Sequence, residues 1–245
     1  MEELMTKSLA QIVNTNHRAA NVFEKYHLDF CCKGKRTLQQ ACTESELKIE
    51  EVLSDLEKTA QGNSSSVPVS YEKMSLTQLT DYIVATHHSY VKKEMPAILG
   101  YLQKVASKHG GHHPEMIKVL EIFTAVKEEM GQHMQKEEQI LFPRIKEVEQ
   151  QLGEGSKIII NNSFLLSPIS MMEQEHDHAG NAMTEIRQLT NNYNPPPDAC
   201  TTYKLSFAAL NAFELDLHQH VHLENNILFP KALRLFGPAN QCSLN

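Results

Sequence analysis

Two stretches of the sequence, 87 residues apart, repeat one pattern of residues that can bind a metal ion. Each reads His-x-x-x-Glu-x-x-Ile-Leu-Phe-Pro, once beginning at His133 and again beginning at His220. Residues four apart lie on one face of an α-helix, so His133 points to the same side as Glu137, and His220 to the same side as Glu224. Imidazole nitrogens and carboxylate oxygens are both metal ligands. The repeat therefore predicts two matching halves of a metal site.

Each half has one further histidine upstream, at almost the same distance. His88 precedes His133 by 45 residues, and His176 precedes His220 by 44. Four imidazoles and two carboxylates that converge in a helix bundle form a site for two metal ions, with terminal histidines and bridging carboxylates. Nitrogen and oxygen ligands fit iron best, while manganese and zinc stay open on chemistry alone. The predicted ligands are His88, His133, Glu137, His176, His220 and Glu224.

The alternative for any one of these residues is an ordinary structural role. A single inward histidine is usually a hydrogen-bonded core residue, and a single His-x-x-x-Glu pair is often solvated; only the duplication favours metal binding. His87 competes with its neighbour His88, and the matched spacing favours His88. The other histidines of this region are predicted to lie on other helix faces or in a loop, at the surface: His109, His112, His113, His178, His218 and His222.

Two further carboxylates are predicted beside the ligands, as outer partners or as the lining of an access path. Glu129 lies four residues before His133, and Glu175 directly precedes His176. An ordinary solvated role is the alternative for both. Four apolar residues that follow the ligand glutamates are expected to close one end of the site: Ile140, Leu141, Ile227 and Leu228.

A separate chemical feature is the adjacent pair Cys31 and Cys32. Three basic residues follow them closely, and such a setting is expected to lower the pKa of the thiols and make them reactive: Lys33, Lys35 and Arg36. A redox or metal-transfer role is predicted, with a short structural motif as the alternative. The remaining cysteines, Cys42, Cys200 and Cys242, lack comparable surroundings. Five cysteines without a secretory signal indicate a reducing cytosol.

Long helices must position these residues. Apolar periodicity and breaker residues predict four of them, over about 75–108, 114–152, 167–191 and 199–236, joined by short links into an up-down antiparallel bundle. A small helical unit precedes the bundle. Its first helix is predicted over 8–26, with a break expected near 14–16, and its second begins at a capping box formed by Thr43 and Glu46. The polar run 61–68 reads as a linker. The sequence thus predicts an all-α fold with a small domain at 1–60, a linker at 61–74 and the bundle at 75–245.

Composition excludes several classes of protein. The 245 residues carry 23 basic and 30 acidic side chains, a net charge of −7, which argues against a general binder of nucleic acid or of anionic membranes. The least charged stretch, 158–172, is interrupted by asparagine, serine and proline, so no membrane span is predicted. Neither nucleic acid nor a membrane is therefore expected as a partner.

The bundle pattern resembles the hemerythrin-like domains, and the N-terminal segment sharpens the resemblance. The run Tyr-His-Leu-Asp-Phe-Cys-Cys-Lys-Gly at 26–34 looks like the vicinal-cysteine motif of the small domain in the repair-of-iron-centres (RIC) family, of the ScdA and YtfE type. The Glu-x-Glu-His-Asp-x-Ala-Gly run at 173–180, the Cys-Thr-Thr run at 200–202 and both Ile-Leu-Phe-Pro blocks also look like that family. The sequence departs from true hemerythrins at Gly180, where they have a second histidine, and at Glu224, where they have an aspartate at a different spacing.

This resemblance implies a cytoplasmic di-iron protein, homodimeric, that restores iron–sulfur clusters damaged by nitric oxide or oxidants. Its clients would be iron–sulfur proteins, and its ligands would be the same six residues that the repeat predicts. A sensor or reductase, in which the di-iron site reacts with O₂ or NO, is the alternative. A phosphohydrolase based on the His176-Asp177 dipeptide leaves both the repeat and the cysteine pair unexplained.

Overall fold

The computed structural model describes residues 2–61, 70–154 and 164–235, and within these ranges the fold is all helical. The only β-type pairing there is an isolated antiparallel bridge between Ser8 and Thr37. The predicted all-α class is confirmed. None of the helices in these ranges is long and apolar enough to cross a membrane.

Five helices form the N-terminal unit: α1 (Glu2–Thr6), α2 (Leu9–Thr15), α3 (Ala19–Lys25), α4 (Leu38–Glu44) and α5 (Ile49–Gln61). Capping boxes start α2 at Ser8 and α4 at Thr37, because each hydroxyl accepts a backbone N–H from the glutamine three residues on and that glutamine bonds back. The capping box predicted at Thr43 and Glu46 is wrong. Thr43 lies in the last turn of α4, and Glu46 has a positive φ of 53° that ends the helix there.

Four long helices form the bundle, and three of them contain a π-helical turn. Helix A comprises α6 (Leu76–Ile83), π1 (Val84–His88) and α7 (Ser89–His109); helix B comprises α8 (Glu115–Lys136), π2 (Glu137–Leu141) and α9 (Phe142–Gly153). Helix C is α10 (Leu166–Leu189). Helix D comprises α11 (Thr201–Leu223), π3 (Glu224–Leu228) and α12 (Phe229–Arg234). The predicted helices match these bounds to within about three residues, and the predicted end of the fourth, Phe236, lies outside the described residues.

The prolines of the repeated Ile-Leu-Phe-Pro blocks account for two of the π turns. Pro143 and Pro230 occupy the first turns of α9 and α12. A proline has no N–H to bond the carbonyl four residues earlier, and its ring crowds that carbonyl, so the helix widens just before it. The widened turns are π2 and π3, and each begins at a predicted ligand, Glu137 or Glu224. Single π turns of this kind are rare in proteins overall, and those that occur are often at functional sites.

Neighbouring bundle helices pack side by side: helix B against both A and C, and helix D against both A and C. The start of helix A is also tied to helix B, because Glu149 accepts the backbone N–H groups of Leu76 and Thr77 at 2.6 and 2.8 Å. These two bonds satisfy N–H groups that have no partner inside the first helical turn. Two buried apolar clusters fill the bundle, one on each side of the predicted ligands along its length.

The larger of these clusters continues from the bundle into the N-terminal unit. Leu9, Phe23 and Phe30 belong to the same buried set as Phe213 and Val221 of helix D. The N-terminal unit therefore packs directly on the bundle in the described residues. The division of the chain into domains at 1–60, 61–74 and 75–245 stays a prediction.

Candidate metal centre

All six predicted ligands meet in the middle of the bundle. They form two overlapping groups whose ligand atoms lie within 4.8 Å of one another: His88, Glu137, His220 and Glu224 in one, and His133, Glu137, His176 and Glu224 in the other. Each of the six side chains is at most 1% exposed. Both carboxylates belong to both groups, whereas each group takes one histidine from each half of the repeat. This arrangement is what two ions with shared carboxylates require.

The histidines face each other through their Nε2 atoms. The Nε2 atoms of His88 and His220 are 3.2 Å apart, and those of His133 and His176 are 3.0 Å apart. Two nitrogens bound to one cation at about 2.1 Å and at a right angle lie roughly 3.0 Å apart. Both imidazole pairs therefore have the separation of neighbouring ligands on one ion.

The carboxylates lie between these pairs, and three of their four oxygens lack a hydrogen-bond donor. Glu137 Oε2 is 3.4 Å from His88 Nε2 and 3.3 Å from His133 Nε2, and Glu224 places one oxygen 3.1 Å from His220 Nε2 and the other 3.1 Å from His176 Nε2. Both oxygens of Glu137, and Oε2 of Glu224, are nevertheless buried without a hydrogen bond. Such an atom costs about 1–3 kcal/mol or more when nothing compensates it. A cation in each group compensates them, so the residues present fit two metal ions.

Three of the four histidines make a hydrogen bond from Nδ1, on the side away from the centre. His88 bonds Glu138 at 2.7 Å, His133 bonds Glu175 at 2.9 Å, and His176 bonds the side-chain oxygen of Asn225 at 2.8 Å. These oxygens accept the Nδ1 proton and leave the Nε2 lone pair of a neutral ring aimed at the centre, as in metal-bound histidines generally. The sequence predicted Glu175 in this place. It missed Glu138 and Asn225, although both directly follow a ligand glutamate.

Two lysines balance the outer carboxylates. Lys92 bonds Glu138, and Lys136 bonds Glu175. The hydrogen bond from His133 lowers the pKa of Glu175 to about 2, with a smaller contribution from Lys136 and opposition from burial. Burial raises the pKa of Glu138, but its bonds to Lys92 and to His88 outweigh that effect. Both outer carboxylates are therefore ionised acceptors at neutral pH.

His220 is the exception among the four histidines. Its Nδ1 atom is buried without a hydrogen bond, and its ring stacks on His87 with centroids 5.6 Å apart and planes 5° apart. His87 lies outside both ligand groups and bonds Asp216 at 2.9 Å. Of the two neighbours that competed on sequence, His88 is thus the one that lies among the ligands.

Glu129 is exposed and has no contact with the Nδ1 atom of His133, which bonds Glu175. It lines a cavity of about 210 Å³ whose walls also include His133, Glu175 and His178. The cavity connects the surface between helices B and C with one of the ligands. This exposed position excludes a hydrogen bond to the ligand and fits both the lining of an access path and an ordinary solvated glutamate, so the role of Glu129 stays a prediction.

Charge inside the centre holds two histidines in their protonated form when no metal competes. Burial lowers the pKa of His88, but the neighbouring Glu137 and Glu224 carboxylates outweigh it and raise the value to about 10. Burial also lowers the pKa of His133, but the Glu137 and Glu175 carboxylates outweigh burial and raise this pKa to about 10. Protons on these rings then replace metal ions as the positive charge beside the carboxylates.

The expected apolar end of the site is present, with one difference. Leu141, Ile227 and Leu228 are buried, whereas Ile140 is 46% exposed. Ile227 belongs to a buried cluster that also contains α6 residues, and α6 packs against π3. Ile140 is not part of that cluster, so the prediction that it closes the site is wrong.

The surface position predicted for His218 and His222 is also wrong. His222 is 3% exposed, and its Nε2 atom lies 2.9 Å from the side-chain oxygen of Asn14. His218 bonds Glu24 at 2.7 Å. The N-terminal unit covers this face of helix D, so positions that face away from the metal ligands still lie inside the protein. His178 and His112 are exposed, as predicted.

The vicinal cysteines lie in the loop between α3 and α4, next to helices C and D. The low thiol pKa expected there is contradicted for Cys31. The hydrogen bond with Cys32, followed by burial and by the charge of Asp29, raises the pKa of the Cys31 thiol well above its usual value. Two of the three basic residues pair with carboxylates outside the loop, Lys35 with Glu173 and Arg36 with Glu44. Cys42 is buried, Cys200 is exposed, and Cys242 lies outside the described residues.

Comparison with known proteins matches both parts of the chain. Residues 79–232 match the Hemerythrin HHE cation binding domain, and residues 5–60 match ScdA_N, a domain of unknown function (DUF542). The chain is 36% identical over 225 residues to proteins named iron-sulfur cluster repair protein YtfE from Escherichia coli O17:K52:H18 (strain UMN026 / ExPEC), Escherichia coli O6:K15:H31 (strain 536 / UPEC) and Shigella boydii serotype 4 (strain Sb227). Each match covers 92% of this chain and 96% of the relative. The chain therefore belongs to the repair-of-iron-centres family, of the ScdA and YtfE type, in which a hemerythrin-like bundle follows a small N-terminal domain.

Proposed function

We propose that this protein repairs damaged iron–sulfur clusters by supplying iron from the six-residue centre. The observation that carries the proposal is the pair of overlapping ligand groups, in which two buried carboxylates with unpartnered oxygens lie between two facing imidazole pairs. The name of the relatives, iron-sulfur cluster repair protein, points to the same activity. Iron is then the cargo of the bundle, and iron–sulfur proteins are its clients.

Under this proposal the six ligands bind two ions, with different histidines for each ion. His88 and His220 hold one ion, His133 and His176 hold the other, and the two glutamates bind both. Release of iron is compensated locally, because His88 and His133 take up protons with pKa values near 10 beside the carboxylates. Metal ions and protons compete for the same Nε2 atoms, so the bundle can lose its cargo without leaving two buried anions unbalanced.

Several finer statements belong to the same proposal. Two iron ions per chain agree with the two ligand groups. Damage by nitric oxide or oxidants as the trigger, the cytoplasm as the compartment and a homodimer as the assembly come from the family resemblance. Cys31 and Cys32 are proposed as the residues that pass metal or electrons to the client.

The test follows iron from the protein to a client. Purified protein is characterised by metal analysis and by Mössbauer or optical spectroscopy, before and after incubation with an apo-cluster client. We expect up to two iron equivalents per chain beforehand, and loss of iron that matches cluster formation in the client. His133→Ala is expected to hold fewer than two equivalents, with Glu129→Ala as a matched control on the exposed face of the same helix. Cluster recovery without loss of iron from the protein would contradict iron donation.

A second candidate function is reaction of the centre with O₂ or NO, and one observation favours it. The cavity of about 210 Å³ beside His133 gives a small molecule a route towards a ligand. Catalytic consumption of NO by the iron-loaded protein would support a reductase, and a reversible oxygenated chromophore in air would support a carrier or sensor. Neither signal is expected from a protein that only donates iron.

A further inference from the structure

A second group of possible metal ligands lies in the loop between α3 and α4, outside the six-residue centre. A carboxylate oxygen of Asp29 and the sulfur atoms of Cys31 and Cys32 lie within 4.8 Å of one another. The Cys31 sulfur is 3.3 Å from Asp29 Oδ1 and 3.9 Å from the Cys32 sulfur. One oxygen and two sulfurs are thus already on the same side of the loop.

The backbone of the loop holds Asp29 in this position. Its Oδ1 atom accepts the N–H groups of Cys31, Cys32 and Lys33 at 3.1, 2.9 and 3.3 Å. The carboxylate is therefore oriented before any ion binds, which reduces the entropy that binding must cost. Because these N–H groups occupy Oδ1, the oxygen offered to an ion is Oδ2 of the same carboxylate. The basic side chains that follow pair with other carboxylates, Lys35 with Glu173 and Arg36 with Glu44.

The separation of the two sulfurs matches that of two ligands on one tetrahedral ion. Two sulfurs at about 2.3 Å from a cation and at the tetrahedral angle lie roughly 3.8 Å apart, and a sulfur and an oxygen roughly 3.6 Å apart. The observed values are 3.9 and 3.3 Å. The two sulfurs can therefore bind one ion with the Asp29 carboxylate, which lies within 4.8 Å of both, and a fourth position is left for a ligand from outside.

We propose that Asp29, Cys31 and Cys32 bind one thiophilic divalent cation, Fe²⁺ as the natural cargo, at a transfer site between the bundle and the client. This inference rests on the iron-donor function proposed above and names the place where iron leaves. The bound cation is a substrate in transit, distinct from the ions of the six-residue centre.

The position of the loop on the bundle supports transfer. The side chain of Asn226 donates to the backbone carbonyls of Phe30 and Cys31 at 3.3 and 2.9 Å. Asn226 directly follows Asn225, whose oxygen bonds the ligand His176. The loop is therefore fixed to the same turn of helix D that orients one of the ligands.

A second contact links the loop to helix C. Gly180 lies one helical turn after His176, and a Cβ atom placed on it would be 3.7 Å from the Cys32 sulfur. Cys31 is buried and Cys32 is partly exposed. The sulfur pair thus extends from the bundle surface towards the outside, where a client thiolate can take the fourth corner.

The binding step is a ligand exchange without oxidation or reduction. One divalent cation displaces the S–H protons of both cysteines and binds the Asp29 carboxylate, so two protons are released for each ion. In the transfer step, thiolates of the client displace the two cysteine sulfurs from the cation, and the cysteines regain their protons. Charge and atoms balance in both directions.

Co²⁺ is the probe that separates this site from the centre, because only thiolate ligands give a sulfur-to-Co²⁺ charge-transfer band. Full-length protein already loaded with iron is titrated with Co²⁺ without oxygen. We expect one equivalent of charge-transfer absorption per chain and release of two protons for each Co²⁺ bound. Cys200→Ser, a change at an exposed cysteine outside the loop, is the matched control and is expected to leave both signals unchanged.

Variants of the three ligands make the assignment specific. Cys31→Ser with Cys32→Ser is expected to abolish the band. Asp29→Asn keeps an acceptor for the three backbone N–H groups but loses the charge, and is expected to weaken Co²⁺ binding at least about tenfold. Circular dichroism and the iron content of the bundle confirm that each variant is folded.

Two results would overturn the site: no charge-transfer band in the wild type, or equal Co²⁺ affinity in Asp29→Asn and the wild type. A band that disappears in the double cysteine variant while client repair proceeds at the wild-type rate would overturn the transfer role and leave iron donation standing. A normal band in a protein that never restores a client would overturn iron donation and leave the Co²⁺ site standing.

Discussion

Replacement of His222 tests how the N-terminal unit is held on the bundle. The ring is buried beneath that unit, edge-on to Phe30 with centroids 5.4 Å apart. Its Nε2 atom lies 2.9 Å from the side-chain oxygen of Asn14, and its Nδ1 atom lies 3.3 Å from the side-chain nitrogen of Asn226. The Asn14 oxygen only accepts, so it suits a neutral ring with its proton on Nε2.

The magnitude follows from the pKa of this ring. Burial lowers the pKa of His222 to about 4, from an ordinary value of 6.5. The unfolded chain therefore binds a proton that the folded protein excludes, so stability falls as the pH falls from above 6.5 towards 4. Between about pH 8 and about pH 5 the loss from this one group is about 2 kcal/mol, and it approaches about 3 kcal/mol near pH 4.

The assay compares the wild type with His222→Gln, which keeps a hydrogen-bonding side chain but does not titrate. Urea unfolding is followed by far-ultraviolet circular dichroism in full-length proteins of equal iron content. We expect the stability advantage of the wild type to shrink by about 2 kcal/mol between about pH 8 and about pH 5. Other titrating groups cancel in this difference. His178→Gln, at an exposed histidine on helix C, is the control and is expected to show no such change.

The reasoning is refuted if the difference between the wild type and His222→Gln is the same at both pH values to within about 0.5 kcal/mol. A general destabilisation of the variant does not affect this test, because it shifts the difference equally at both pH values. Only a group that is neutral when folded and charged when unfolded produces the expected change.

Three further predictions concern the centre and its surroundings. Glu224→Ala is expected to hold fewer than two iron equivalents, because this carboxylate belongs to both ligand groups; two full equivalents by metal analysis would contradict its role. Glu138→Ala is expected to weaken iron binding about 10- to 100-fold in a chelator competition, since His88 loses its Nδ1 acceptor. His218→Gln is expected to cost at most about 1 kcal/mol at about pH 6. Burial lowers the pKa of His218, but the hydrogen bond to Glu24 outweighs burial, so the pKa in the folded protein is raised. The stabilisation is therefore complete below the pKa of the unfolded chain and is lost as the pH rises through the pKa of the folded protein. Equal costs in urea unfolding at about pH 6 and about pH 9 would contradict this.

The placement of the ligands could be predicted from the sequence because it depends on one regular feature. Histidine and glutamate four residues apart share a helix face whatever surrounds the helix, and the repeat states the same pair twice. The acceptors Glu138 and Asn225 carried a similar signal, since each follows a ligand glutamate at the same position of the repeat. It was missed because a regular helix turns such a neighbour by about 100° away from the ligand face. The π turns that begin at Glu137 and Glu224 change that phase.

The errors have a different cause, because they concern what packs on the outside of the bundle. A helical wheel separates His218 and His222 from the metal ligands, and it does so correctly. It does not show that the N-terminal unit covers the opposite face. The expected thiol chemistry failed for the same reason, since Cys31 is buried in a loop that packs on the bundle, while Lys35 and Arg36 pair with Glu173 and Glu44.

Comparison of the two halves of the repeat shows how the metal-ligand positions differ from the outward-facing positions. The helix D residues that meet the N-terminal unit are His218, His222 and Asn226, and the positions 87 residues earlier on helix B are Gly131, Gln135 and Gln139, which are all exposed. The ligands are identical in the two halves, because in the proposed two-ion centre each ion would take a histidine from each half and both carboxylates lie within reach of both ions. The outward positions are not constrained by the metal, so they differ according to what covers them. The face that carries the cysteine loop is therefore specific to the second half, so the proposed transfer site would lie on one side only of a centre that is otherwise nearly symmetric.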